Sequence, residues 1–154
     1  MRALLFVSIC LFLVACDREP AASLEDFNAR GITLPDGTVV KAEVMTHPQD
    51  MARGMMFRDS FPEGRAMLFI HNTPGRYPYW MYQVNLPLDI VWMDRQKRVV
   101  EIVENAPPCK GKASECQVQG AGTYGGSEIA SFVLELPAGS ARKHRIVKGE
   151  FLRF

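Results

Sequence analysis

The feature that most constrains the fold is a nearly continuous apolar run, Leu88 to Met93, that carries one carboxylate, Asp89. Short apolar runs of this kind are typical of strands, and a strand is predicted here over 88–94. The run belongs to the stretch 79–94, which holds both tryptophans and two of the four tyrosines. Because an aspartate is rarely buried without a partner, Asp89 is either a paired structural group or part of a functional site.

Other short runs favour a mainly β fold of one domain, as does the length of 154 residues. Apolar and polar residues alternate over 39–44, and 66–70 is wholly apolar. Turn residues such as Leu34-Pro35-Asp36-Gly37-Thr38 and His71-Asn72-Thr73-Pro74-Gly75 end or separate these runs. The predicted strands are 39–44, 66–70, 77–84, 88–94, 98–104, 129–136 and 151–154, with one more before residue 34. This pattern predicts a single-domain sandwich or barrel over residues 29–154.

One or two short helices are expected within the β fold. Pro48 is tolerated in a first helical turn, so 49–57 is predicted to be a helix. Ser140 is a candidate cap for a second helix that runs through His144. The strand 98–104 has apolar residues on both sides of its alternation, which predicts a position near an edge of the sheet.

The N-terminus has the pattern of an export signal. Arg2 precedes an apolar run from Ala3 to Val14, which is too short to span a bilayer. The sequence Leu13-Val14-Ala15-Cys16 resembles the lipobox of bacterial lipoproteins, which implies cleavage after residue 15 and lipidation of Cys16. The alternative is an ordinary signal with an incidental cysteine. Residues 16–28 are interpreted as a tether, and Asp17 would favour the inner membrane in enteric bacteria.

Two cysteines, Cys109 and Cys116, remain once Cys10 and Cys16 are accounted for. In an oxidising compartment they are expected to form a disulfide, and the weaker alternative is a redox or metal pair. They lie in the segment 106–127, which lacks an apolar period and is predicted to be the one long loop.

The charge balance argues against binding to nucleic acid or to anionic lipid. Without Arg2, the 18 basic residues become 17, equal to the 17 acidic residues. A neutral chain lacks the basic field that binds nucleic acid or anionic lipid. Membrane association would therefore depend on the lipid at Cys16.

From Thr46 onward, several sequence blocks in a fixed order resemble a prokaryotic family of unknown function, the domain numbered 192. The blocks are Arg53-Gly54-Met55-Met56-Phe57-Arg58, Met67-Leu68-Phe69, Trp80-Met81, Pro87-Leu88-Asp89-Ile90, Val133-Leu134-Glu135-Leu136-Pro137-Ala138-Gly139 and Lys148-Gly149-Glu150. The resemblance implies a β-sandwich of jelly-roll type with a short helix, and no reaction. This chain departs from the family pattern at Tyr82-Gln83-Val84. It also has Ala66 and Arg145 at two positions where the family has glycine.

Arg58 and Asp89 end two of these blocks beside apolar residues. A buried ion pair between them is the favoured interpretation, because an unpaired buried charge costs several kcal/mol. The alternative makes both residues ligand anchors at the mouth of a pocket.

The aromatic residues of the central stretch could also bind a ligand. Tyr79, Trp80, Tyr82 and Trp92 could stack on a sugar or another flat ligand, although aromatic side chains on strands more often pack in the core. The candidate ligand-binding residues are Arg58, Trp80, Tyr82, Asn85 and Asp89.

Methionines and histidines offer a weaker hypothesis, a periplasmic Cu(I) site, because thioethers select Cu(I). Most of these methionines lie in apolar blocks, where methionine fills gaps in the core. We expect no metal and no cofactor. The residues concerned are Met55, Met56, Met67, Met81, Met93, His47, His71 and His144.

Catalytic motifs are not found in the sequence. It contains no Gly-x-Ser-x-Gly elbow, no His-Glu-x-x-His and no phosphate-binding glycine loop before a helix. Asp89, Glu101 and Glu135 could act as acid and base, without a spacing that supports it. The sequence therefore favours a lipid-anchored envelope module that binds a carbohydrate or protein partner in a groove near Trp80 and Asp89. The alternative is a small hydrolase or lyase acting on envelope carbohydrate.

Overall fold

A computed structural model describes residues 28–154 as eight strands and three short helices. The signal run, Cys16 and Asp17 lie outside these residues. The elements are β1 Ala29–Thr33, β2 Val39–Met45, α1 Pro48–Arg53, β3 Arg65–Gly75, β4 Tyr79–Trp80, β5 Leu88–Met93, β6 Val99–Ala106, α2 Ala113–Cys116, β7 Thr123–Tyr124, β8 Ala130–Pro137 and α3 Ser140–Lys143.

Six strands form one mixed sheet in the order β1-β2-β3-β8-β5-β6, and β4 pairs with β7 in a separate two-stranded ribbon. Only β2 and β3 are parallel among the pairs of the large sheet; the others are antiparallel. The segment 46–64, which contains α1, makes the crossover that a parallel pair requires. The mainly β prediction is confirmed, and the sheet stays open instead of closing into a barrel.

Each face of the sheet is covered by its own apolar core. The first face packs under α3 and the C-terminal segment; its core includes Leu68, Val91, Leu134, Ala141 and Leu152. The second face packs under α1, the segment 54–62 and the β4–β7 ribbon. Its core contains Met55, Met67, Phe69, Met81, Val84, Leu88, Ile90, Trp92, Ala106, Ala130 and Val133.

Strand β5 confirms the expectation drawn from its apolar run. All six of its residues are buried, and it lies between β8 and β6. Its side chains alternate between Ile90 and Trp92 in the second core and Val91 and Met93 in the first. Strand β6 lies at the edge of the sheet, as its two-sided alternation predicted.

Three expected boundaries are wrong for local reasons. The helix predicted over 49–57 ends at Arg53, because Gly54 adopts a positive φ of 43° and the chain turns towards the sheet. Strand β3 continues through the predicted turn at 71–75. The strand predicted over 77–84 is reduced to β4, because Gln83 has a φ of 57° and Val84 forms a bridge with Met56.

The long segment 106–127 is tied down by the predicted disulfide, which forms between Cys109 and Cys116. The segment also contains α2 and β7, so it has more regular structure than the sequence indicated. The N–H of Met81 donates to the carbonyl of Gly122 at 2.7 Å, and the N–H of Cys109 donates to the carbonyl of Met81 at 3.1 Å. These bonds hold the segment against the second face. Within residues 28–154, no helix is long and apolar enough to cross a bilayer.

Candidate functional site

Asp89 is a structural residue, which corrects its assignment as a ligand anchor. Its exposure is 0%. Its Oδ1 accepts the N–H of Asn105 at 2.8 Å and its Oδ2 accepts the N–H of Ala141 at 2.7 Å. Both of its oxygens are therefore committed to the backbone.

The two amides explain why a carboxylate is needed in this apolar run. Leu88 pairs with Ala106 and Ile90 with Val103, so two residues of β6 oppose Asp89 in a bulge that leaves the amide of Asn105 without a ladder partner. Helix α3 begins after Gly139, which has no side chain to cap the helix. Asp89 supplies an acceptor oxygen to the amides of Asn105 and Ala141.

Arg58 does not pair with Asp89, so the predicted ion pair is wrong. Its guanidinium makes two hydrogen bonds to Glu43, each 2.7 Å long. These bonds and the charge of Arg58 lower the pKa of Glu43 below its usual value, against the opposing effect of partial burial. Arg58 therefore joins the segment after α1 to β2, which is separated from β5 by two strands of the sheet.

The predicted groove is not formed, because its members lie on different faces. Asp89 points into the first face, whereas Trp80 lines a cavity with Met55 and Phe69 of the second core. The Trp80 and Tyr82 rings lie 5.2 Å apart between centroids and are both partly exposed. Asn85 donates to Asp59 at 2.9 Å in the segment that follows α1.

The other two aromatic candidates are core residues, as the packing interpretation expected. Trp92 is fully buried, and its Nε1–H donates to the carbonyl of Tyr77 at 2.8 Å. Tyr79 meets Phe69 edge to face at 4.9 Å and Trp92 at 5.9 Å. Only Trp80 and Tyr82 remain as a partly exposed ring pair.

Glu135 is the carboxylate that the structure leaves available on the second face. It lies on β8 opposite Met67 of β3 and Ile90 of β5, and its exposure is 5%. Within residues 28–154, its Oε2 is buried and has no hydrogen-bond partner. Buried polar atoms are almost always paired, so such an atom requires an explanation.

Glu135 also lines a small cavity of about 30 Å³ beneath the turn at Gly54. A cavity of this size holds one water molecule or one ligand oxygen. The cavity is lined by Met51, Ala52, Arg53, Gly54, Met55, Met56, Phe69, Tyr79, Trp80, Val84 and Glu135.

Burial keeps the Glu135 carboxyl protonated at neutral pH. Loss of solvation raises its pKa to about 8, and the nearby charge of Arg58 only partly opposes that shift. Burial, and then the Glu135 carboxylate, raise the pKa of Tyr79 well above its usual value. At pH 7 the Glu135 carboxyl is thus neutral and can donate a proton into the cavity in a hydrogen bond.

A wider depression of about 370 Å³ adjoins the cavity and shares Arg53, Gly54 and Met56 with it. Phe57 lines this depression with 59% of its surface exposed, at a φ of 63°. Its N–H donates to the carbonyl of Gln83, another residue at positive φ, at 2.9 Å. A bulky residue in this backbone region is strained, and such strain is concentrated at functional sites.

Of the three carboxylates suggested as acid and base, only Glu135 has a buried oxygen without a partner among residues 28–154. Oε2 of Glu101 accepts the amides of Ser127 at 3.0 Å and Glu128 at 3.3 Å. The sequence signal for Glu135 was the same as for Asp89, one carboxylate in an apolar strand. Glu43, Gly54 and Phe57 were not identified as site residues, since nothing local shows that they approach Glu135.

The residues of the Cu(I) hypothesis are dispersed. His144 bonds Asp36 at 2.9 Å, His71 bonds the Tyr79 hydroxyl at 3.1 Å, and His47 lies exposed before α1. Met93 lies in the first core, whereas Met55, Met67 and Met81 lie in the second. Within residues 28–154, no group of three His, Cys, Asp or Glu side chains is arranged to hold a metal.

Two solved structures share the fold. A protein of unknown function from Novosphingobium aromaticivorans matches with a TM-score of 0.73 at 23% sequence identity, covering 94% of this chain and 99% of that chain. A proposed transcription regulator from Sinorhizobium meliloti matches with a TM-score of 0.67 at 24% identity, covering 80% of this chain and 89% of that chain. At these identities the likeness concerns the fold alone.

At the level of sequence, residues 32–154 match the profile of the family described as "Uncharacterized ACR", number 192 among the domains of unknown function. No curated protein gives a significant match.

Proposed function

We propose that this chain, which belongs to family 192 of the domains of unknown function, is a ligand-binding module of the bacterial cell envelope. The binding site is the second face of the sheet, where the Glu135 cavity opens beside Trp80. This proposal moves the groove expected from the sequence away from Asp89 and keeps its aromatic residue.

The observation that carries the proposal is the unpartnered Oε2 of Glu135. Leaving a buried polar group unpaired costs about 1–3 kcal/mol, and a ligand oxygen in the cavity would remove that cost. A purely structural acid would be expected to have its partners within the fold, as Asp89 has.

The surroundings of the cavity suit a ligand that has both a ring and polar groups. Trp80 and Tyr82 offer two partly exposed aromatic faces, on which a sugar ring can stack. Arg53 lies exposed at the rim of the cavity and can bond hydroxyl groups there. Envelope carbohydrate is therefore the first class of ligand to test.

A thermal-shift screen of sugars and cell-wall fragments tests the proposal. Replacing Trp80 by Ala should reduce a ligand's affinity by about 5- to 150-fold, because stacking on one ring contributes about 1–3 kcal/mol to binding of a flat ligand. Phe151→Ala is the matched control, since Phe151 is 48% exposed and packs over Arg98 away from the site. Equal affinities in both variants would contradict the proposal.

The envelope location rests on the sequence at Cys16, and the lipid anchor is part of the proposal. Cys16→Ser should move the protein to the soluble envelope fraction or leave it as an unprocessed precursor, because a short apolar run does not anchor stably. Membrane fractionation and the apparent mass of the variant give the result. An unchanged membrane-bound, processed protein would contradict the lipid anchor.

A hydrolase or lyase acting on carbohydrate is the second candidate, favoured by two carboxylates with opposite pKa shifts on one face. Glu43 and Glu135 both oppose Met67, so they are two strand spacings apart, about 9–10 Å between Cα atoms. Pairs of carboxylates with separated pKa values are typical of acid–base catalysis. Turnover on a glycoside panel that Glu135→Gln abolishes without loss of fold would establish it.

A further inference from the structure

We propose that the group which enters the Glu135 cavity is an uncharged hydrogen-bond acceptor, the hydroxyl or carbonyl oxygen of a neutral carbohydrate. This inference rests on the proposed binding function and names the class of ligand that the site selects.

The size of the cavity limits what can enter it. At about 30 Å³ the cavity is far smaller than the depression of about 370 Å³ beside it, so the bulk of a ring-sized ligand lies in the depression and a small group enters the cavity. The ring of the ligand must therefore stay outside, over Trp80 and the adjoining depression. Only a single protruding polar group reaches Glu135.

The polarity of the lining limits the chemistry of that group. Met55, Phe69 and Val84 contribute apolar walls. The Tyr79 hydroxyl is already engaged with His71 at 3.1 Å. Among the side chains described around the cavity, the Glu135 carboxyl is the one buried polar group left without a partner, so it must supply the decisive hydrogen bond.

The charges around the cavity disfavour a cationic group. Arg53 lies at the rim, and the charge of Arg58 acts on Glu135. A cation would approach the Arg53 guanidinium, since the charge of Arg58 is offset by Glu43, and would find Glu135 protonated at neutral pH. An ammonium group in the cavity is therefore opposed by its neighbours.

An anionic group is disfavoured by loss of water. Moving a charge from water into this mostly apolar cavity costs several kcal/mol unless it is fully paired, and one carboxyl hydrogen bond does not pair it. An uncharged oxygen loses little solvation and accepts the Glu135 proton in a hydrogen bond. The neutral class is the one that the cavity accommodates at low cost.

Two measurements test the inference. The first follows Glu135 by NMR of protein with 13C-labelled glutamate carboxyl groups, assigned with Glu135→Gln. The inference expects a carboxyl that titrates near pH 8, and an ionised Glu135 at pH 6 would overturn it with or without a ligand.

The second measures binding of three probes, the neutral trimer of N-acetylglucosamine, choline and acetate, at pH 6 and pH 9. Affinity for the neutral trimer should fall about tenfold, because one pH unit above the pKa leaves about a tenth of the carboxyl protonated. In Glu135→Gln the amide still donates, so the trimer should bind and lose its dependence on pH. Glu104→Gln is the control, because Glu104 is exposed and paired with Arg142 on α3.

The outcomes distinguish a failure of the proposed ligand class from a failure of the proposed binding function. Binding of choline or acetate in place of the trimer, or loss of trimer binding in Glu135→Gln at both pH values, overturns the neutral class and leaves the binding function standing. If no probe or envelope sugar binds while Glu135 titrates near pH 8, the binding function is overturned and the ligand class fails with it.

Discussion

Asp89 and Glu135 lie on the neighbouring strands β5 and β8, one register position apart, and their side chains enter opposite faces of the sheet. Both are buried acids inside apolar strands. Asp89 accepts two backbone amides, whereas Oε2 of Glu135 has no partner among the described residues. An acidic side chain in the same kind of strand is thus a structural group on one face and part of a candidate site on the other.

The difference comes from what covers each face. On the first face, the β6 bulge and the start of α3 bring two amides that lack partners towards Asp89, so the carboxylate and the amides satisfy one another. On the second face, the chain turns at Gly54 and leaves a cavity between that turn and Glu135. A buried carboxylate on its own therefore says little about function; its remaining hydrogen-bonding capacity is informative.

The largest effect should follow from removing the structural acid. Asp89→Ala leaves the buried amide of Ala141 and the part-buried amide of Asn105 without partners, which should lower the free energy of unfolding by about 2–5 kcal/mol. Asp59→Ala, an exposed control, should change it by no more than about 0.5 kcal/mol. Urea denaturation gives both values, and a small loss in Asp89→Ala would contradict the structural role.

Glu135, the unpaired acid, should instead make the stability of the fold depend on pH. Glu135 ionises near its usual value of 4.5 in the unfolded chain but only at about 8 in the fold. Between these values the unfolded chain binds fewer protons, so stability falls as pH rises, by roughly 2–4 kcal/mol at about 1.4 kcal/mol per pKa unit. Carboxylates with lowered pKa, such as Glu43, act below pH 4.5 and reduce stability as pH falls.

Urea denaturation of the wild type and Glu135→Gln at pH 5 and pH 8.5 isolates this effect. The wild type should lose stability between the two pH values, and the variant should lose much less, because its amide does not titrate. Equal losses in both proteins would mean that Glu135 is ionised within the fold, and the contrast with Asp89 would disappear.

These two acids also show how far the sequence could be interpreted. The apolar run 66–70 predicted a central strand and the stretch 88–94 predicted another strand, because local composition is enough to identify a strand. The partners of Asp89 come from residues 105 and 141, and the partner of Arg58 is Glu43 on β2; these choices depend on the sheet order. The order β3-β8-β5 joins segments far apart in the chain, and no local pattern encodes it.

The disulfide is a tertiary contact that the sequence predicted correctly, because the accounting of cysteines left two thiols as partners for each other. The helix over 49–57 shows the reverse case. The helical signal was sound as far as Arg53, but Gly54 and the strained Phe57 direct the chain to the sheet instead. The local rule failed at the point where the candidate site begins, and such departures are expected at functional sites.

The smallest expected effect comes from relieving backbone strain, which occurs at one residue on each face. Arg145 follows α3 on the first face at a φ of 56°, and Phe57 has a φ of 63° on the second. Glycine adopts this region without strain, although it adds freedom to the unfolded chain, so either substitution should raise stability by about 0.5–1 kcal/mol. Arg145→Gly should leave ligand affinity unchanged, because residue 145 lies on the structural face. Phe57→Gly should weaken binding, because it removes the exposed ring from the depression beside the cavity. Thermal denaturation and titration with one ligand measure both quantities, and equal affinities in the two variants would place the strain at Phe57 outside the site.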